Sequence, residues 1–468
     1  MRRNSKGLIA LILVLVLVLS GLVYVAANLD QFGGDTLQTD PSNPPSSSEK
    51  PTQTQTDPTQ TNPTQTQPTT QPTDPPIIKL STATLGAVCD VLLHDDVIKS
   101  GDNDRDKNYD FHSIFQKITP YFSKTDYMVA NLEVTLCGDN NGYEYDGYPH
   151  FNSPDAIAEA LQDAGVDMLL TANNHSYDTR HVGFMRTQEV LAKLGLDHTG
   201  TRPSVEDDTY IIREINGIRI GMICYTYHTG ITASGGISLN VIPLTPEDSK
   251  LVNAFSYDNL GLFYDELSGK MEEMTLAGAE ATVMFIHWGD EYRLNPNASQ
   301  KAIAQKLCDM GIDVIVGGHP HVIQPMELLT STTDPEQKTV CLYSTGNIIS
   351  NQRLGLISSI NTAHTEDGIF FSVTFAKYSD GTVILERVDA LPTWVNKVKD
   401  GTKLYYDIIP LDTAVTDWKA AYSLTDSELS QCQASYGRTM ALIGSGLEAV
   451  NSWCSRHQTE VEILLGVQ

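Results

Sequence analysis

Basic side chains are scarce: 31 Lys and Arg stand against 58 Asp and Glu in 468 residues, a formal net charge of −27. Little of that excess lies before residue 77, so the later part of the chain is acidic, and a field of this sign excludes non-specific nucleic-acid binding. Any polyanionic partner has to be met through metal ions or a local basic patch. Cysteine is scarce too, with seven residues scattered singly and no Cys-x-x-Cys pair, which excludes a disulfide framework. Cys89, Cys224 and Cys341 sit in apolar, strand-like runs and are expected as small core residues.

Between Thr36 and Pro76 there is almost nothing to bury. Pro, Thr, Gln, Ser and Asp recur in loose repeats such as Pro51-Thr52-Gln53-Thr54-Gln55-Thr56-Asp57, the composition of an extended, disordered stalk. In polyproline geometry such a stalk reaches roughly 100 Å. Ahead of it, Arg2, Arg3 and Lys6 precede an apolar stretch, Leu8 to Ala27, broken only by Ser20 and Gly21 and followed by Asp30 and Asp35. That length spans a bilayer with the basic side in the cytoplasm. A cleaved signal peptide is the competing reading, since Val25-Ala26-Ala27 resembles a cleavage site, but the run exceeds a usual signal core. Either way the remainder is exported, and with no cysteine close behind the run a lipoprotein anchor is not expected. The organisation is thus a tip and anchor (or signal peptide) over 1–30, a linker over 31–76, a globular domain over 77–395 and a partly helical appendage over 396–468.

Strand-like runs at Leu80–Leu93, Tyr127–Asn131, Asp167–Ala172, Ala281–His287 and Asp313–Val316 alternate with amphipathic candidates at His112–Phe122, Pro154–Ala164, Gly183–Leu194, Leu262–Leu276 and Asn297–Met310. This alternation predicts an α/β sheet covered by helices. Asn216-Gly217 and Ser379-Asp380-Gly381 each sit between two apolar runs and predict hairpins; with Val340–Ser344 these strands are expected to be antiparallel. Thr425 and Glu428 have capping-box spacing at the head of a long helical stretch polar enough for the surface. The loops at Asp139–Tyr148 and Thr229–Asn259 are long enough to cover a site.

Five apolar runs end in a residue able to bind metal. Leu85–Cys89 delivers Asp90, Tyr127–Ala130 runs into Asn131-Leu132-Glu133, and Met168–Ala172 into Asn173-Asn174-His175. Val283–Ile286 runs into His287-Trp288-Gly289-Asp290-Glu291, and Val314–Val316 into Gly317-Gly318-His319-Pro320-His321, where the glycines predict a turn that lets backbone approach a ligand. In open α/β sheets ligands bind beyond the carboxyl ends of the strands, so Asp90, Glu133, Asn174, His287, His319 and His321 are expected to converge. Carboxylate, amide oxygen and imidazole together suit Mn, Fe or Zn.

From about Lys79 to Leu391 the chain resembles CapA-type poly-γ-glutamate capsule synthesis proteins, a branch related to the calcineurin-like metallophosphoesterases. Six blocks carry the resemblance: Cys89-Asp90-Val91-Leu92-Leu93, Asn131-Leu132-Glu133, Asn173-Asn174-His175-Ser176-Tyr177-Asp178, His287-Trp288-Gly289-Asp290-Glu291-Tyr292, Gly317-Gly318-His319-Pro320-His321 and Ser344-Thr345-Gly346-Asn347. It implies a four-layer α/β/β/α metallophosphatase-like sandwich with two divalent metal ions. Asp90, Glu133 (bridging), Asn174, His287, His319 and His321 match the metal ligands, and His175 matches the histidine that protonates a leaving group. Asp178 either orients His175 or caps the next helix.

The chain departs from the family at two places. Cys89 replaces a glycine, and Leu92 stands where phosphatases have a histidine; His94, expected on the same strand face as Asp90, is a candidate substitute. Asn131 and Glu291 are further candidates. The implied role is at the cell membrane, single-pass with the globular domain outside, among membrane-embedded capsule synthesis or export subunits and with poly-γ-glutamate or another surface polymer as partner. Three functions fit: a dinuclear-metal hydrolase or transferase, a non-catalytic factor that tethers or guides the polymer, and an exported metallophosphoesterase unrelated to capsule.

Overall fold

In the computed structural model, residues 76–356 and 361–467 are described. The expected anchor over 1–30 and the linker, but for its last residue, lie outside the described residues. Among these, no helix is long and apolar enough to cross a membrane.

The strand Lys79–Val91 is buried on both faces over its second half, so its alternate side chains feed two different cores. Leu85, Ala87 and Cys89 point into a core shared with Val129, Met168, Met222, Phe285 and Val316. Val88 points the other way, with Met128, Ala130 and Leu169, against Ile114, Phe115, Ile157 and Leu161 of the covering helices. A second sheet repeats the arrangement: Ile223, Met284, Ile286 and Ile315 meet Phe263, Leu267, Ile303 and Leu307 on its far side. The layers are therefore helix, sheet, sheet, helix, a mixed α/β sandwich.

The first sheet has the spatial order Lys403–Pro410, Val383–Asp400, Asp367–Tyr378, Lys79–Val91, Tyr127–Leu132, Met168–Leu170, Asp197–Thr199. Its last four strands run parallel and the others are antiparallel. In the second sheet Ile218–Tyr227, Ala281–His287, Val314–Gly318 and Lys338–Thr345 are parallel neighbours. All the parallel strands end on the same rim, where the candidate residues lie.

Several expectations are corrected. Val340–Ser344 was expected to be antiparallel; the strand Lys338–Thr345 is parallel to Val314–Gly318 and antiparallel only to Ile323–Thr330. The expected helix His112–Phe122 is two short helices, His112–Phe115 and Thr119–Phe122, with Pro120 opening the second. Gly317 and Gly318 close a strand instead of forming a turn. Their value is space: a Cβ on Gly317 would collide with the Tyr343 carbonyl and the Trp288 indole, and one on Gly318 would lie 2.9 Å from Asp90 Oδ1.

The expected domain boundary at residue 395 falls inside the strand Val383–Asp400, and Lys403–Pro410 extends the same sheet. The helix beyond, Asp426–Leu465, has the expected Thr425/Glu428 capping box but is no appendage. Ile443, Val450 and Cys454 join the core between the sheets, Gly446 abuts the Met326 backbone, and Arg438 reaches the fully buried Asp367 by two hydrogen bonds of 2.8 and 2.7 Å. Its buried positions include Ser435 and Thr439, and polar residues of this kind hide the buried face from a reading by hydropathy.

Candidate metal centre

Asp90 stands next to last in its strand, at φ 44°. This left-handed backbone turns its carboxylate toward the opposite sheet. Oδ1 accepts the Asn131 amide at 2.9 Å and Oδ2 accepts the backbone N–H of His319 at 3.1 Å. His319 and His321 also have positive φ, 94° and 55°. Three non-glycine residues in this region around one point are a local strain that the packing of both sheets has to hold.

Glu133 is fully buried just beyond the strand Tyr127–Leu132, its backbone N–H bonded to the Val91 carbonyl at 3.1 Å. Two groups of ligand atoms share it. In one, Glu133, His287 and His319 offer atoms all within 4.8 Å of one another; in the other, Asp90, Glu133 and His321 do so. Asn174 Oδ1 lies 2.7 Å from His287 Nε2, at the edge of the first group. The structure thus brings together all six of Asp90, Glu133, Asn174, His287, His319 and His321.

The donor set fits divalent cations, and one observation decides this. Both carboxylate oxygens of Glu133 and Nδ1 of His319 are buried with no hydrogen-bond partner, the nearest imidazole nitrogens to Glu133 Oε1 being His287 Nε2 at 3.3 Å and His321 Nε2 at 3.8 Å. Leaving a buried carboxylate unpaired is costly. Burial, with repulsion from Asp90, pushes the Glu133 carboxyl well above the usual carboxylate range. Burial would raise Asp90 as well, but the hydrogen bond and charge of His321 outweigh it and hold Asp90 low. Burial keeps His287 neutral down to about 3 and, with the charges of His287 and His321, lowers His319 well below its ordinary value. His321 is raised, burial being overcome by its bond to Asp90. Neutral His287 and His319 beside the Glu133 carboxyl, with His321 held to Asp90, are ligands prepared for a cation.

His175 lies at the wall of a cavity of about 870 Å³ that also exposes Asn174 and His321. Its Nδ1 is 2.7 Å from Asp178 Oδ2, and its ring meets Phe151 edge-on at 4.7 Å. The following helix, Arg180–Leu194, is preceded by Thr179 and has no side-chain cap, so Asp178 orients His175 and caps nothing.

The remaining candidates sit elsewhere. The expectation that His94 shares a strand face with Asp90 fails, because the strand ends at Val91 and the left-handed backbone at Asp90 breaks the alternation of faces. His94 instead precedes the helix Asp95–Ser100 and accepts the Asn351 N–H at 3.3 Å, outside both ligand groups. Leu92 is 1% exposed beside it. Asn131 spends its amide on Asp90 and its oxygen on Asn173, which makes it a positioning residue. Glu291 is exposed and lines the cavity without joining a ligand group. Sequence reasoning missed the supports: Tyr227, whose hydroxyl is 3.2 Å from His319 Nε2, and Asn347, whose Oδ1 is 3.0 Å from His321 Nδ1. Asn347 closes one of the six quoted blocks; Tyr227 at a strand end carried no local signal.

These features define a mixed α/β sandwich protein with a shared-carboxylate candidate metal centre. The chain belongs to the family of bacterial capsule synthesis proteins PGA_cap, whose model matches residues 84–352, more than half of its length. It is 30% identical over 243 residues to the PGA biosynthesis protein CapA of Bacillus subtilis (strain 168), across 51% of this chain and 57% of that protein. It is 26% identical over 330 residues to the capsule biosynthesis protein CapA of Bacillus anthracis, across 68% of this chain and 70% of that one. Among solved structures, the calcineurin-like phosphoesterase YfkN from Bacillus subtilis aligns over 67% of this chain and 90% of its own, at 16% identity and a TM-score of 0.33, too loose a likeness to carry an argument.

Proposed function

We propose that the chain serves poly-γ-glutamate capsule synthesis at the cell surface, through a metallophosphatase-like hydrolase or transferase centre. The carrying observation is Glu133, whose two unpartnered buried oxygens lie between two complementary ligand groups. Asp90, Glu133 and His321 would hold one divalent cation, and Glu133, His287 and His319 with Asn174 the other; Mn, Fe and Zn suit this set. Such a pair, when bound, acidifies water and stabilises charge on attacking and leaving oxygens. The protein's own part is positional. Asn131 and the His319 N–H fix Asp90, Tyr227 and Asn347 steady the imidazoles, and Asp178 holds His175 toward the cavity as proton donor to a leaving group.

A tether without catalysis is the second reading, favoured by Leu92, a buried aliphatic side chain where phosphatases have an imidazole. The experiment measures surface polymer from a deletion strain expressing wild type, Glu133→Ala or His175→Ala at matched protein level. The hydrolase reading expects both variants to fail. Wild-type yield from His175→Ala replaces it with the tether.

The anchored, outward-facing arrangement and its membrane-embedded capsule partners are part of the same proposal. Arg2, Arg3 and Lys6 ahead of the apolar run Leu8 to Ala27 support the arrangement, and the family supports the capsule partners. Protease added to intact protoplasts should release the globular domain, and full protection would reverse the topology.

A further inference from the structure

Two clefts reach the candidate centre. The cavity of about 870 Å³ exposes Asn174, His175 and His321; a second, of about 570 Å³, exposes His319, Tyr227 and Tyr257. Glu291 lines both. A small three-stranded sheet, Gly230–Ile231, Ile237–Leu239 and Ile242–Pro243, bridges them: Thr229 and Gly230 line the second cleft, and the hairpin tip Asn240-Val241 lines the first. The Val241 N–H donates to Thr229 Oγ1 at 3.0 Å, tying tip to base.

The tip itself is strained. Asn240 and Val241 are the two loop residues of a tight hairpin, at φ 45° and 57°, and the second such position normally takes glycine. A β-branched residue there is held in a strained backbone conformation. Val241 gains no packing in return, since it is 80% exposed. Tyr148, 76% exposed, and Leu356, 56% exposed, line the same cleft, so its mouth is rimmed by apolar groups with His175 in the wall.

We infer that one extended chain crosses the centre, lying in both clefts at once, with the Asn240-Val241 tip clamping it between them. This rests on the polymer reading proposed above and specifies its substrate as a linear chain engaged away from its ends. A compact phosphoester needs one approach to the metal centre, whereas a chain held in mid-length needs an entrance and an exit. The methylene groups of a γ-linked glutamate backbone suit the apolar rim. In one cleft Asp96 is paired with Lys397 and Lys99, leaving Asp95, and the other holds Asp258 and Asp290, so a polyanionic chain enters that second cleft with its counter-cations.

The test uses the full chain in mild detergent with Mn²⁺ at about 0.15 M salt, so that charge repulsion is screened. End-labelled γ-glutamate oligomers of increasing length are titrated by fluorescence anisotropy. Affinity should rise at least tenfold between oligomers that fill one cleft and those that span both. Asp258→Trp, which narrows the second cleft and touches no candidate ligand, should remove that gain and leave short oligomers unaffected. Val241→Gly should raise the thermal midpoint by a few degrees and weaken long-chain binding several-fold. Length-independent affinity, no binding of any oligomer, or undiminished long-chain affinity in either variant overturns the inference. Failure of the hydrolase reading looks different: wild-type capsule yield from His175→Ala, with length-dependent binding intact.

Discussion

Asp178 Oδ2 accepts two hydrogen bonds at once, from His175 Nδ1 at 2.7 Å and from the backbone N–H of Phe151 at 2.7 Å. The first fixes the tautomer of His175, leaving Nε2 for the cavity, and the second locks the carboxylate that does so. His175→Ala should keep its metal and lose about a hundredfold or more in turnover, as expected for removal of a proton donor. Asp178→Asn should keep metal and imidazole alike and still lose turnover, because the amide no longer enforces the tautomer. Metal content by elemental analysis beside single-turnover rates checks both; loss of metal from either variant contradicts the assignment.

Glu133→Gln should abolish metal binding while leaving the metal-free protein at least as stable as wild type, since a buried carboxyl repelled by Asp90 is removed. Wild type at a hundredfold excess of metal over Kd should gain about 2.7 kcal/mol. Thermal melts with and without Mn²⁺ or Zn²⁺ make the comparison, and an equal metal-induced rise in Glu133→Gln would show that the cation binds elsewhere.

His94 makes the protein acid-sensitive. Burial, reinforced by the charge of His321, drops its imidazole from 6.5 to about 4, and its Nδ1 accepts the Asn351 N–H only when unprotonated. The native state therefore binds fewer protons than the unfolded chain below pH 6.5. Stability present above that pH is lost as the pH falls toward 4, by about 3 kcal/mol. His94→Gln, which still offers an acceptor to Asn351, should lose that much less between pH 7 and 4 in urea titrations; parallel curves for both proteins would contradict the account.

Arg438→Ala should destabilise the fold by about 3–5 kcal/mol, because it leaves the buried Asp367 carboxylate unpaired. The double variant Arg438→Met, Asp367→Asn should recover most of the loss. Denaturant midpoints measure both. A negligible effect of Arg438→Ala would mean that the helix Asp426–Leu465 adds little to the fold, as an appendage would.

The residues themselves carried the strand ends. An apolar run followed by Asp90, Glu133, Asn174, His287 or His319 reads as a buried strand delivering a polar group to a rim, because burial and turn chemistry are properties of a few neighbouring residues. The Asn216-Gly217 and Ser379-Asp380-Gly381 hairpins were legible for the same reason, and the strands Tyr210–Ile215 with Ile218–Tyr227 and Asp367–Tyr378 with Val383–Asp400 pair antiparallel across them. Tertiary structure alone decided what those ends share. That one carboxylate, Glu133, stands within reach of His287, His319, Asp90 and His321 follows from the register of two sheets stacked across a common core, a relation between residues far apart in the chain. The left-handed twist of Asp90 that sends His94 away from it, the choice of Asp178 between His175 and a helix cap, and the seating of Asp426–Leu465 along the sheets are likewise set by packing. Local sequence specifies which face a side chain prefers, whereas only the assembled layers determine which other side chains it meets there.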